Sequence, residues 1–266
     1  MADNEQWRRI VAEIGAVASP GGRRRLGLCS IEGTRLFERA LTTGAQIERA
    51  VCSAAFLADD SARTTALRQG LAEAGTELFP VADEVLAGLT RGRSLGGLVG
   101  LARIPAAVSL ASLLASAPAP VFLVCVELND PGNVGALVRT AHAGGARAVF
   151  GAGATDAFHP VALRTSKGSL FNLPVLDWTD WESCAADLRS AGVRTFGAVT
   201  SGGGDPRALA PARGPTALVL GSEAFGLSED DQALLDERLT LPMAGGVDSY
   251  SVNASAAVLL WEMTRG

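Results

Sequence analysis

The sequence predicts an α/β protein with a mostly parallel sheet and a smaller α/β domain ahead of it. Three observations carry that expectation. VFLVCVEL (121–128) and TALVLG (216–221) are nearly continuous apolar runs, the mark of parallel strands covered on both faces. Stretches with helical spacing separate them from further short strands, as βαβ units require. Residues 104–120, IPAAVSLASLLASAPAP, carry no charge and have prolines toward both ends, which marks a connection. The expected organisation is a domain over 1–104, a linker over 105–119 and a second domain over 120–266.

The elements follow in order. GTRLFERALTTG (33–44) puts Leu36, Phe37, Ala40 and Leu41 on one helical stripe, and Gly44 stops it. RAVCSAAF (49–56) reads as a strand, and ARTTALRQGLAEAG (62–75) as a helix closed by Gly75. TELFPV (76–81), ADEVLAGLT (82–90) and GGLVGLARI (96–104) give strand, helix and strand. After the linker and VFLVCVEL comes the helix NVGALVRTAHAGG (133–145), which Asn133 can cap through its side-chain oxygen. Its buried stripe is Val134, Leu137, Val138 and Ala141, and Arg139 lies off that stripe. RAVFGAG (147–153) and RTFGAVTSG (194–202) are strands; HPVALRTSKG (159–168), WESCAADLRSAG (181–192) and ASAAVLLWEM (254–263) are helices. His159, at a helix start before proline, reads as structural.

Composition narrows the function. Apolar residues make up 48% of the 266 residues and charged residues 19%, enough for a packed core. The polar start MADNEQWRRIVAEIG does not read as a signal peptide, and no run of 18 or more apolar residues suggests a membrane span, so a cytoplasmic protein is expected. Cys29, Cys52, Cys125 and Cys184 form no C-x-x-C pair, and with only His142 and His159 beside them no metal site is expected. The net charge is −5, yet the basic charge is nearly all arginine, the side chain suited to gripping phosphate. GRRRLG (22–27) and RGRSLGG (91–97) are the candidate basic patches. The turn G-N-V-G lacks the dinucleotide fingerprint, TSGGGD (200–205) lacks the P-loop lysine, and GSE is no G-x-S-x-G elbow.

In such a sheet, ligands bind outside the carboxyl ends of the strands. Three segments there become specific together: NDPGNVGALVRTA (129–141), LVLGSEAFGLS (218–228) and LPMAGG…SVNASAA (241–257). In this order they resemble motifs 1, 2 and 3 of the SpoU (TrmH-type) RNA ribose 2′-O-methyltransferases of the SPOUT superfamily. The resemblance is dense over 120–266 and looser over 28–105, where IEGTRLFERALTTG is similar to an L30-like substrate-recognition domain.

That resemblance implies a catalytic domain whose C-terminal part is threaded into a deep trefoil knot. It implies S-adenosylmethionine as cofactor, contacted at Thr200, Gly221, Leu241 and Val252, with Met243 packing beside it. It assigns the catalytic set to Asn133 and Arg139 of motif 1, Glu223 of motif 2, and Ser251 and Asn253 of motif 3. Motif 3 departs from the family: five residues, GVDSY, separate Gly245 from Ser251, so Ser249 could take the place of Ser251. Arg164 and Lys167 of RTSKGSLFNLP are candidate RNA contacts. The implied activity is methyl transfer to a ribose 2′-hydroxyl of structured RNA, ribosomal RNA before transfer RNA. The implied assembly is a homodimer, for which Val258, Leu259, Leu260 and Trp261 of the last helix would suit the interface. The alternatives are a non-catalytic RNA-binding protein that keeps the fold, and a methyltransferase for small molecules or proteins.

Overall fold

The computed structural model describes residues 2–93, 95–208 and 214–264. Ser94 of the RGRSLGG stretch lies outside them. The chain divides into two compact units: one runs to Pro105 and takes in Phe158–Phe171, the other is Ala106–Ala157 with the remainder from Asn172.

The first unit is built from α1 (Ala2–Ala16), α2 (Pro20–Leu26), β1 (Leu28–Glu32), α3 (Thr34–Thr42), β2 (Ile47–Cys52), α4 (Ala54–Ala58), α5 (Ala62–Glu73), β3 (Glu77–Pro80), α6 (Asp83–Thr90) and β4 (Leu98–Arg103). Its strands pair in the order β1-β4-β2-β3, with β4 antiparallel to both neighbours and β2 parallel to β3. The polar opening stretch is a helix, because Ile10, Ile14 and Val17 recur at helical spacing and bury together with Leu28, Val51 and Leu101. The strand expected over 49–56 ends at Cys52; Ser53 accepts from the Phe56 amide and starts α4 in its place. The basic patch at 22–27 is also smaller than expected. Arg23 is buried and its Nη1 donates to the Val17 and Ala18 carbonyls, so it ties α1 to α2 while Arg24 and Arg25 face solvent.

The second unit starts inside the expected linker. It comprises α7 (Leu110–Leu114), β5 (Val121–Val126), α8 (Pro131–Ala143), β6 (Ala148–Ala152), then, beyond α9 (Pro160–Ser166) of the first unit, β7 (Val175–Trp178), α10 (Trp181–Ser190), β8 (Arg194–Ala198), β9 (Thr216–Leu220), α11 (Glu229–Ala233), β10 (Glu237–Leu239) and α12 (Val252–Thr264). Leu113 of α7 is buried with Phe122, Phe150 and Trp181 in the core on one face of the sheet. The strands run all parallel in the order β10-β8-β9-β5-β6-β7. β5 and β9 are fully buried, as their unbroken apolar runs require.

That order contains a reversal. From β5 the chain moves outward through β6 to β7, then returns to lay β8, β9 and β10 on the other flank. The carboxyl ends of β5 and β9 therefore sit side by side at a topological switch point, where α/β sheets open a crevice. Among the described residues no helix is long and apolar enough to cross a membrane.

Candidate active site at the carboxyl ends of the strands

The loops after β5, β8, β9 and β10 emerge along one edge of the sheet and carry the three sequence motifs. Motif 1 opens α8 differently from expectation. Asp130 is the cap, its carboxylate accepting from the Asn133 amide at 2.8 Å, and Pro131 occupies the first turn. Asn133 is thereby left free to reach outward. Its Nδ2 donates to Glu223 Oε1 at 2.8 Å, across the switch point. The glutamate in GSE thus stands where it does because an amide from the neighbouring strand end holds it.

Motif 2 is a braced loop. The Gly226 amide donates to the Ser222 carbonyl at 2.8 Å, which folds the segment back over Gly221. A Cβ on Gly221 would lie 2.1 Å from the Gly226 carbonyl carbon, so glycine is needed there for the chain's own backbone. The expected reason, close approach of a ligand, is not the cause at this position. Leu227 anchors the far end in the core, and Ser228 with Asp231 forms a capping box for α11. Glu223, Ala224 and Phe225 are left exposed at the tip.

Between these loops lies a cleft of about 1120 Å³, slightly above the roughly 300–1,000 Å³ usual for small-molecule sites. Thr200, Gly221, Leu241, Met243 and Val252, all named from the sequence, line it, as does Glu223. Asn133 joins through its bond to Glu223. Ser251 does not line the cleft: its hydroxyl accepts from the Ala254 amide at 3.3 Å and starts α12, while Ser249 is on the cleft wall. Asn253, in the first turn of α12, keeps a buried Oδ1 without a hydrogen-bond partner among the described residues. Arg139 is exposed on α8, has no side-chain hydrogen bond or ion pair among the described residues, and does not line the cleft. α8 packs directly on α12, Gly144 approaching Leu260 closely enough that a Cβ would sit 3.2 Å away. Asp248 and Tyr250, also on the wall, come from the motif 3 insertion and had no signal of their own, whereas Ser249 was the alternative register to Ser251.

All four cysteines are buried and free. Burial, reinforced by the Glu223 and Asp177 carboxylates, pushes the Cys125 thiol up to about 12, so it stays protonated and is no nucleophile. No group of three or more potential metal ligands occurs among the described residues.

A direct consequence concerns the Asn133–Glu223 bond. If the two act as one unit, Asn133→Ala and Glu223→Ala should each lower kcat/KM by about tenfold or more, and the double variant should cost no more than the worse single. Independent multiplication of the two losses in steady-state assays would refute the coupling.

The chain is similar to known proteins in sequence and in fold. The family model described as SpoU rRNA Methylase matches residues 120–261. The 23S rRNA (guanosine(2553)-2′-O)-methyltransferase RlmP of Bacillus subtilis (strain 168) is 29% identical over 195 residues, 72% of this chain and 74% of that one. A 23S rRNA (uridine(2479)-2′-O)-methyltransferase of Streptomyces viridochromogenes is 34% identical over 51% of this chain and 49% of its own. The crystal structure of the SpoU methyltransferase AviRb from Streptomyces viridochromogenes, in complex with the cofactor AdoMet, superposes with a TM-score of 0.80. It is 26% identical and the match covers 95% of each chain.

Proposed function

We propose that this chain, which belongs to the SpoU rRNA Methylase family, transfers a methyl group from S-adenosylmethionine to a ribose 2′-hydroxyl of RNA, with ribosomal RNA as substrate. The observation that carries the reading is the convergence of Thr200, Gly221, Leu241, Met243 and Val252 on one cleft, beside a glutamate held by Asn133.

The residues fit the cofactor. Leu241, Met243, Val252 and Leu259 offer an apolar wall for a flat base, while Thr200 and Asp248 offer polar groups for ribose and amino acid. When bound, S-adenosylmethionine supplies an activated methyl group beside the acceptor. The chain's work is then to align a poor nucleophile and help it lose a proton. Glu223, held by Asn133, organises the pocket mouth. Asn253 Oδ1, buried and without a partner among the described residues, lies next to the cleft-lining Val252 and provides an acceptor for a ligand hydroxyl or amino group. Arginine is cationic at any working pH and does not serve as a free base. Arg139 does not line the cleft of its own chain, so it is read as reaching the second copy's cleft in a homodimer. There it grips the phosphate next to the acceptor ribose and stabilises the developing alkoxide, and the proton leaves to a phosphate oxygen or water.

We read the assembly as a homodimer with residues of both chains near each site. Val258 and Trp261 of α12 are 45% and 66% exposed, apolar surface that a second copy would cover, whereas Leu259 and Leu260 are buried in their own chain. The knot implied by the motifs belongs to this reading too. The loop after β8 continues the pairing of β8 with β10: the Gly204 amide donates to the Arg238 carbonyl and the Thr240 amide to the Gly204 carbonyl.

RNA contact in the first unit is assigned to a positive cluster. Arg93 Nη2 lies 2.8 Å and Arg164 Nη1 3.6 Å from the same oxygen of Glu32, whose side chain is 10% exposed. Burial, then the Arg93 charge and, less, the Arg91 charge, lower the Arg164 guanidinium from its usual value, while Glu32 raises it. Arg93 and Arg164 share that one carboxylate, so positive charge is in excess. Such a surplus suits a phosphate backbone.

The test is tritiated S-adenosylmethionine with ribosomal RNA from cells that lack the modification, followed by nuclease mapping. Label in a 2′-O-methyl nucleotide is the expected result. Cofactor binding with no transfer to RNA would replace this reading with the non-catalytic one.

A further inference from the structure

We infer that Phe225 is a stacking platform for an unpaired RNA base at or next to the methylated nucleotide. The inference rests on the cleft being an RNA 2′-O-methyltransferase site, and it adds how the substrate is held there. Aromatic residues are only 5% of this chain: nine phenylalanines, four tryptophans and one tyrosine. Phe225 is 91% exposed, the only phenylalanine among the exposed large hydrophobics of the described residues. Leaving such a ring in water forgoes the gain that burial would bring.

The ring is not exposed through looseness. Its loop is folded back by the Gly226–Ser222 backbone bond, the Phe225 amide donates to Ser222 Oγ at 3.3 Å, and Leu227 is sunk in the core. Two residues before it, Glu223 is fixed by Asn133. An acceptor ribose brought to Glu223 carries its own base, or a neighbouring one, to the Phe225 side of the rim. Tyr250, 47% exposed and lining the same cleft from the motif 3 insertion, has its hydroxyl 3.4 Å from the Pro242 carbonyl. Two aromatic side chains thus flank the mouth from the loops after β9 and β10.

Charge selects which part of the RNA fits. The cleft wall carries Glu223, Glu229, Asp236, Glu237 and Asp248 against Arg238, so its lining is net negative and disfavours a phosphate within the cleft. A neutral base with an open π face meets no such penalty, and single-stranded RNA splays its bases onto aromatic side chains in this way.

The experiment compares the full-length wild type with Phe225→Ala, Phe225→Leu and Phe225→Trp, on ribosomal RNA from cells lacking the modification. Stacking made equally in the bound and reacting states shows in KM more than in kcat. Phe225→Ala is expected to raise the RNA KM by about 5- to 150-fold, the range for losing one base–aromatic stack, with kcat changed far less. Phe225→Leu should fail likewise, and Phe225→Trp should restore the affinity. An unchanged KM in Phe225→Ala overturns the inference. A weakened cofactor Kd with intact RNA affinity overturns it in favour of the cofactor's adenine as the stacked ring. A smaller species in sedimentation, with RNA affinity restored at high protein concentration, overturns it in favour of a subunit contact. Filter binding of the same RNA separates the two levels of the reading. Phe225-dependent binding without methyl transfer would keep the stack and sink the transferase, whereas active wild type with an indifferent Phe225 would do the reverse.

Discussion

Arg139→Ala is expected to lower kcat by about 10²–10³-fold, the usual loss when one group that stabilises developing oxyanion charge is removed. Three structural facts make the expectation sharp. Arg139 is exposed on α8, off the stripe formed by Val134, Leu137, Val138 and Ala141, and no carboxylate among the described residues engages it. An exposed side chain of that kind changes folding stability by only about ±0.5 kcal/mol when truncated. Thermal unfolding and S-adenosylmethionine affinity should accordingly stay near wild type while turnover collapses. Arg139→Lys keeps the charge and loses the two-pronged grip, so it should recover only part of the rate. Near wild-type turnover in Arg139→Ala, measured at saturating RNA and cofactor, would remove this residue from the mechanism.

The sequence told the strand and helix positions well where an element carries its own signal. The buried runs of β5 and β9 have no polar interruption, and the stripes of α3 and α8 have helical spacing, so tertiary context had little to override. It was less informative where one residue type serves two ends. Asn133 looked like a helix cap because asparagine caps well, but Asp130 stands three residues earlier and, once ionised, is the stronger acceptor at a helix N-terminus. Arg23 looked like surface charge within GRRRLG, and only the turn between α1 and α2 shows why one of the three arginines is taken inside to serve carbonyls. α1 carries little signal of its own: Ile10, Ile14 and Val17 have the right spacing, but the charged residues around them dominate the stretch.

The candidate site was legible as three motifs and illegible as a surface. Motif spacing names Gly221 and Glu223, but it contains nothing about β9 lying beside β5, which is what brings Asn133 to Glu223. The five-residue insertion shows the same limit. Pattern alone favoured Ser251, whose spacing to Asn253 matches the family, yet in the fold that hydroxyl is occupied as a helix cap and Ser249 is on the wall. Spacing reports register along a strand or helix; it does not report which side of a loop meets the ligand.

Gly221→Ala tests whether the braced loop is a precondition for the site. The added methyl would sit 2.1 Å from the Gly226 carbonyl carbon, 2.2 Å from its oxygen and 2.4 Å from the Leu227 nitrogen. All three are backbone atoms, so no side-chain rotation relieves the contact and the segment 222–227 must move. Overpacking of this kind costs about 1–3 kcal/mol, which urea unfolding should register. The larger consequence is functional: moving that segment takes Glu223 from Asn133 and opens the wall formed by 221–227, so cofactor affinity should fall by about tenfold or more. Gly226→Ala is the informative control. Its φ is +68°, but nothing lies within 4 Å of the added Cβ, so it suffers backbone strain of about 1–2 kcal/mol without a collision. The two glycines are five residues apart in one loop, and the contrast between them distinguishes crowding from torsion. If Gly221→Ala bound S-adenosylmethionine as well as Gly226→Ala does, the tight fold of the loop would not be what shapes the pocket.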